Sequence, residues 1–137
     1  MNNMLTVMDE MQEASKQTYC SMLINNEEDK KKLFNLLGNS DTRVSDNLDK
    51  TISLKDVVLQ KFPKVDEETG ELSYSVRVIL VDKDGKTYAS GSRGLYRSVL
   101  QLIQLVGEPN TWTNPIDIKV VETNIKNGGK TFVIKTI

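Results

Sequence analysis

One amphipathic helix interrupts a series of five strand-like segments, and this order limits the possible folds more than any other feature of the sequence. The helix is predicted in "RGLYRSVLQLIQLVG", which Gly107 ends. Its apolar residues recur at i, i+4, i+7, i+8 and i+11: Leu95, Val99, Leu102, Ile103 and Val106. Three strand-like segments precede this helix from Thr51 onward, and two follow it.

The strand-like segments are recognised by alternation and by the turns between them. "TISLKDVVLQKF" alternates at Ile52 and Leu54 and then breaks phase at Val57 and Val58, which predicts a strand with a bulge or a sharp bend. "ELSYSVRVILV" is the second strand, "DKDG" a hairpin turn and "KTYASGS" the return strand. After the helix, "PIDIKVVETNI" and "KTFVIKTI" alternate on either side of the turn "KNGG".

The order strand, strand, strand, helix, strand, strand over residues 51–137 is that of the OB fold. A ferredoxin-like arrangement would need a helix after the first strand, and an SH3-like barrel would lack the long helix. We therefore expect a mainly β (α+β) protein: a five-stranded OB-like barrel with its helix between strands 3 and 4. The final strand is expected to close the barrel, so that it does not leave an open edge.

Residues 1–50 are expected to form an N-terminal extension that packs on this barrel. Residues 1–13 are either a short amphipathic helix or a frayed tail, residues 17–24 a strand, and residues 27–37 a helix with an asparagine cap and an acidic first turn. The barrel strand "VRVILV" is apolar on both faces apart from Arg77, so its outer face needs a cover. A second subunit or a ligand is the alternative cover, and the edge of the N-terminal strand is a candidate dimer contact.

The composition excludes several classes of function. The chain of 137 residues has no histidine and one cysteine, Cys20, which rules out an internal disulfide and every mechanism or metal site that needs imidazole. No spacing of carboxylates or lysines indicates a catalytic site. We therefore predict that the protein is not an enzyme and that it has no catalytic residue, metal or cofactor. No run of 18 apolar residues or signal sequence is visible, so we expect an intracellular protein without a membrane partner.

The distribution of charge favours binding of a polyanion only through local clusters of basic residues. The net charge is −1, but the segment between residues 86 and 137 contains seven basic residues and three acidic ones. Single-stranded nucleic acid needs flat rings for its bases and cations for its phosphates, and OB-type barrels bind it on strands 2 and 3. The predicted nucleic-acid-binding residues are Tyr74, Arg77, Tyr88, Ser90, Arg93, Tyr96, Lys119, Lys126 and Lys130.

The direction of the tyrosine rings stays open at this point. Tyr74 and Tyr88 could be half-buried strand residues, and Tyr96 a core residue of the helix. If "DKDG" is a two-residue turn, Tyr88 shares a face with Val81 and Arg77. If Gly85 forms a bulge, Tyr88 joins Leu80 and Val78 on the other face.

Several stretches together resemble the small single-stranded DNA-binding proteins encoded by tailed phages of Gram-positive bacteria. They are "ISLKDVV", "DEETGE", "RVILVDKDGKTYASGSRGLYRSVLQLIQLVGEP", "TWTNPIDIKVV" and "GGKTF". The similarity covers about residues 27–137. It implies an accessory protein of phage DNA replication or recombination that coats single-stranded DNA in the host cell cytoplasm, with little sequence preference and no small-molecule substrate. The alternative is a protein-interaction module, or an inhibitor of a host protein, on the same fold.

Overall fold

A seven-stranded sheet organises the part of the chain that the structure, a computed structural model, describes: residues 18–137, with only the backbone of residues 64 and 65. The strands are β1 (Thr18–Cys20), β2 (Thr42–Arg43), β3 (Ile52–Val65), β4 (Leu72–Asp82), β5 (Thr87–Ser90), β6 (Ile116–Asn124) and β7 (Lys130–Thr136). The helices are α1 (Glu27–Gly38) and α2 (Arg93–Val106), with short 3₁₀ turns at Val44–Asn47 and Pro109–Thr111. Neither helix is long and apolar enough, within these residues, to cross a membrane.

The long strand β3 is the centre of the sheet. The strand order is β2-β5-β4-β3-β6-β7, and β1 pairs with β3 beside this path. The register of β3 against β4 shifts between Leu54 and Asp56, which confirms the predicted bulge. On one side of the bulge β3 pairs with β6, and beyond it β3 pairs with β1.

The sheet curls but stays open, a half-barrel consistent with an OB-like fold. It has seven strands, where five barrel strands and one strand of the N-terminal extension were expected, and the placement of the helix also differs in detail. Within residues 18–137 no ladder joins β5 to β7, so the expected closure of the barrel by its last strand was wrong. Instead, α2 lies along β7, and the hydroxyl of its Ser98 accepts the backbone N–H of Ile134 at 2.8 Å. A helix therefore covers the edge that a strand would cover in a closed barrel.

Two apolar layers cover the two faces of β4. On the inner face, Val78 and Leu80 pack in a core with Leu95 and Val99 of α2. On the outer face, Ile79 and Val81 form a second cluster against the leucines of α1: Leu33, Leu36 and Leu37. Helix α2 thus covers the inner face of this apolar strand, and the N-terminal layer covers its outer face.

Helix α1 begins as its sequence predicts. The side chain of Asn26 accepts the N–H of Asp29 at 2.8 Å, which caps the first turn. The helix runs one residue beyond the predicted 27–37. Of the predicted strand at residues 17–24, residue 17 lies outside the described residues, residues 18–20 form β1, and residues 21–24 are not in a strand. The predictions for residues 1–13 lie outside the described residues. The division into an extension and a barrel at residue 50 stays a prediction.

Candidate nucleic-acid interface

A solvent-open groove lies between the last turn of α1 and the first turn of α2. We call it the arginine groove; its volume is about 680 Å³. Four of its side chains are cations, one each from β2, β4, α2 and β7: Arg43, Arg77, Arg93 and Lys130. The rest of its lining is Leu37, Gly38, Ser40, Ser45, Val76, Ala89, Ser90, Gly91, Ser92, Thr131 and Phe132. Cations that are far apart in sequence therefore converge on one surface.

The short length of β5 creates the space for this groove. Strand β5 ends at Ser90, which pairs with Val78, so the earlier residues of β4 extend past the end of β5. Arg77 alternates with Val78 along β4 and therefore points to the outer face, towards α1. The groove thus forms where β4 runs on without its neighbour.

Two backbone carbonyls hold two of the three arginines, Arg77 and Arg93, in place. The guanidinium of Arg77 donates a hydrogen bond to the carbonyl of Leu37 in the last turn of α1. The guanidinium of Arg93 donates one to the carbonyl of Tyr74. A cation at the carbonyl end of a helix is stabilised by the helix dipole. Since a guanidinium carries five N–H donors, each arginine keeps donors for a ligand.

The electrostatics of the arginine groove suit a phosphate. Within the described part of the chain, no acidic residue lines it. Serine and threonine hydroxyls lie between the cations, and α2 begins at Arg93, so the positive end of its dipole lies at the groove. Arginine fits phosphate oxygens well because two of its N–H groups can donate in parallel.

A second depression, of about 500 Å³, carries the tyrosines. We call it the tyrosine cleft, and it is lined by Thr18, Tyr19, Leu59, Lys61, Tyr74, Tyr96 and Leu100. The ammonium of Lys61 lies 4.5 Å from the centroid of the Tyr74 ring. Tyr74 also connects the two depressions, because its carbonyl accepts the hydrogen bond from Arg93 in the arginine groove. Rings and cations are therefore adjacent across β4.

Tyr19 is held in a fixed position within the cleft. Its hydroxyl donates to Glu108 Oε1 at 3.0 Å. Partial burial, together with this hydrogen bond, raises the pKa of Tyr19 to about 12. The phenol therefore stays neutral at physiological pH and adds no negative charge to the cleft.

The structure brings together six of the nine predicted binding residues, in two groups. Arg77, Ser90, Arg93 and Lys130 line the arginine groove. Tyr74 and Tyr96 line the tyrosine cleft.

Two of the predicted lysines lie apart from both depressions. Lys126 is exposed in the turn between β6 and β7. Lys119 is partly buried on β6, opposite Lys135 of β7. Its neighbours Ile118 and Val120 are buried, so Lys119 points to the opposite face of β6.

Tyr88, one of the predicted binding residues, has its ring in the core. Its exposed fraction is 7%, and it packs with Leu80 and Val78. Gly85 adopts φ +85°, and Tyr88 pairs with Leu80 in the ladder, which is the bulge alternative for this turn. The Tyr88 hydroxyl donates to Asp82 Oδ2 at 3.2 Å. A base has no access to a ring in this position.

Sequence reasoning missed Arg43, Tyr19 and Lys61. Arg43 belongs to a polar, turn-rich stretch of the acidic N-terminal third, and it reaches the groove only because β2 pairs in parallel with β5. Tyr19 and Lys61 meet because β1 pairs with β3 next to Gln60. These are long-range pairings, and no local pattern in the sequence signals them.

Comparison with known proteins relates the chain to a family. A family model described as phage single-stranded DNA-binding protein matches residues 12–136. Searches of curated proteins and of solved structures found no match.

Proposed function

Because the chain belongs to the family of phage single-stranded DNA-binding proteins of the phi29 type, we propose that it coats single-stranded DNA during phage DNA replication or recombination. It does so in the cytoplasm of the host cell, with little base preference. The DNA backbone lies in the arginine groove, and bases enter the tyrosine cleft. No catalytic step, metal or cofactor is part of this function.

The convergence of four cations without an acidic neighbour in the described lining carries this proposal. The net charge of −1 gives the protein no overall attraction for DNA. Binding therefore depends on a local field, and the arginine groove supplies one that several parts of the chain build together. Contacts to phosphates are independent of sequence, which agrees with low base preference.

The tyrosine cleft supports the binding of bases. A base stacked on an aromatic ring contributes about 1–3 kcal/mol, whereas an exposed cation–π contact contributes about 0.5–1 kcal/mol. A base can therefore displace the Lys61 ammonium from the Tyr74 ring, and the displaced ammonium remains close enough to pair with a phosphate. Tyr96 follows Arg93 by one turn of α2, so a ring and a phosphate contact lie on one rigid element.

Fluorescence anisotropy with labelled poly-dT at two salt concentrations tests the proposal. If the four cations of the groove each neutralise one phosphate, the slope of log K against log salt is about −3. The variant Arg77→Ala/Arg93→Ala should bind more weakly and with a shallower slope. Lys83→Ala is the matched control, because Lys83 is exposed in the turn between β4 and β5 and lies outside the groove.

Two outcomes would reject the proposal. One is no binding of poly-dT at low salt by the folded wild-type protein. The other is binding that barely responds to salt and is unchanged in the arginine variant. Tight, salt-insensitive binding to a host protein would favour the interaction-module alternative. Sedimentation of the same samples measures whether the protein is a homodimer.

A further inference from the structure

Phe34 is an aromatic residue that α1 presents to solvent. The leucines at 33, 36 and 37 pack on the outer face of the sheet, whereas 77% of the Phe34 side chain is exposed. Single exposed apolar residues are common and are not sites by themselves. The surroundings of Phe34 are what distinguish it.

Phe34 lies between two lysines and the arginine groove. Lys30 and Lys31 precede it by four and three residues, so they are its neighbours on the helix surface, and both are exposed. Gly38 follows it by four residues and lines the groove, as does Leu37. We call Lys30, Lys31, Phe34 and Gly38 the α1 track. It extends about 12 Å along the helix from the groove, at 1.5 Å per residue.

We propose that single-stranded DNA leaving the arginine groove continues along the α1 track, with a base stacked on Phe34 and phosphates next to Lys30 and Lys31. This inference rests on the proposed function and extends its binding site to Lys30, Lys31 and Phe34, which lie outside both depressions. Its occupant is single-stranded DNA because the track combines a ring with cations and is continuous with a groove of the same chemistry.

The acidic first turn of α1 sets the far end of the track. Glu27 and Glu28 are exposed, and they lie one turn beyond the lysines from the groove. Their carboxylates repel a phosphate backbone, so DNA is expected to leave the helix at Lys30. A partner protein that bound Phe34 as an apolar patch would not require Lys30 and Lys31 beside it.

The test compares Phe34→Ala with the wild-type protein on two dT oligonucleotides of different length. They have about 4 and about 16 nucleotides, the limits of the site size of one OB fold. Only the longer one is expected to span the groove and the track. Phe34→Ala should bind the longer oligonucleotide about tenfold more weakly and the shorter one equally well. Phe34→Trp should retain binding, and Lys30→Ala/Lys31→Ala should reduce the salt slope by about 1.4.

The matched control is Leu105→Ala. Leu105 is another exposed apolar residue on a helix, with an exposed fraction of 85%, and it lies outside both depressions. It should leave binding of both oligonucleotides unchanged. Urea denaturation should show equal stability for Phe34→Ala and the wild type, because the ring is solvent-exposed.

The outcomes separate this inference from the proposed function. Equal binding of the longer oligonucleotide by Phe34→Ala and the wild type would overturn the α1 track, while Arg77→Ala/Arg93→Ala would still report on the groove. An equal loss on both oligonucleotides would also overturn it, since the ring would then act at the groove. If the arginine variant also binds normally, the proposed function fails together with the track.

Discussion

The hydroxyl of Ser98 in α2 accepts the backbone N–H of Ile134 in β7 at 2.8 Å. The hydroxyl of Ser92, the N-cap of the same helix, accepts the backbone N–H of Phe132 at 3.4 Å. Two amides of the last strand are therefore satisfied by side chains of a helix. This relationship explains how the sheet can remain open without exposing its edge to other chains.

Replacing Ser98 by alanine should destabilise the protein by about 1–2 kcal/mol, because the part-buried amide of Ile134 loses its acceptor. Urea denaturation measures the change. Hydrogen exchange gives the local readout: the amide of Ile134 should exchange faster, whereas that of Leu80 in the core strand β4 should change only with global stability. An unchanged Ile134 amide would show that the hydroxyl does not protect this edge.

Gly94 should tolerate no side chain. A Cβ there would lie 2.0 Å from Thr131 Oγ1 and 2.9 Å from the carbonyl oxygen of Phe132. The threonine can rotate, but the backbone oxygen of β7 cannot move without shifting the strand. We expect Gly94→Ala to lower the free energy of unfolding by about 1–3 kcal/mol.

Gly38→Ala is the matched control for this effect. A Cβ at Gly38 would meet nothing within 4 Å, and the residue ends α1. This substitution should be neutral or stabilising by about 0.4–1 kcal/mol. Equal stabilities for the two variants would contradict a close contact between α2 and β7.

The sequence predicted the elements that local patterns control. The apolar period of α2, the cap of α1 and the phase break at Val57 each act within a few residues, so each could be read directly. The need for a cover on both faces of β4 followed from its uninterrupted apolar run. Burial of these apolar side chains forms α2 and the covered strand, and a local hydrogen bond from the Asp29 N–H to Asn26 forms the cap.

The features that the sequence predicted wrongly, left open or missed depend on contacts between distant segments or on the conformation of a turn. The open edge of the sheet is covered through contacts such as that between Ser98 and Ile134, which are far apart in the chain, and either residue alone gives no signal. The face of Tyr88 was decided by the positive φ of Gly85, which the sequence allowed but did not require. Arg43 entered the groove through a parallel pair of two residues, which is too short to be recognised.

Substitution of Tyr74 should affect DNA binding, whereas substitution of Tyr88 should affect stability. Tyr74→Ala should weaken poly-dT binding by about 1–3 kcal/mol, since it removes a ring from the tyrosine cleft. Tyr88→Phe should leave binding unchanged and lower stability by about 1 kcal/mol, since it removes the hydrogen bond to Asp82. Anisotropy and urea denaturation of both variants provide the comparison. Weaker DNA binding by a fully folded Tyr88→Phe would show instead that the Tyr88 hydroxyl contributes to the interface.

Arg43 should contribute to DNA binding although it lies outside the basic C-terminal region. Arg43→Ala should reduce the salt slope of poly-dT binding by about 0.7, the contribution of one phosphate contact. The backbone oxygen of Arg43, which accepts from Asn47 at 2.7 Å, is retained in this variant, so the local fold should persist. Lys50→Ala is the control, because Lys50 is an exposed cation of the same connecting segment outside the groove. Equal salt slopes for the two variants would show that Arg43 does not contact a phosphate.

Tyr19 should make the stability of the protein depend on pH in the alkaline range. Partial burial and the hydrogen bond to Glu108 raise its pKa from 10.0 to about 12 in the folded protein, so the folded state holds the phenolic proton more tightly than the unfolded state does. Its contribution to stability is complete below pH 10 and is lost as the pH rises to about 12. Tyr19→Phe lacks this proton, so the stability advantage of the wild type over the variant should shrink across that range. Urea denaturation of both proteins at matched pH values measures the difference, in which the titration of the remaining groups, Tyr88 included, cancels. A constant difference between the two proteins would mean that Tyr19 titrates alike in the folded and unfolded states, and that its hydroxyl is not held by Glu108.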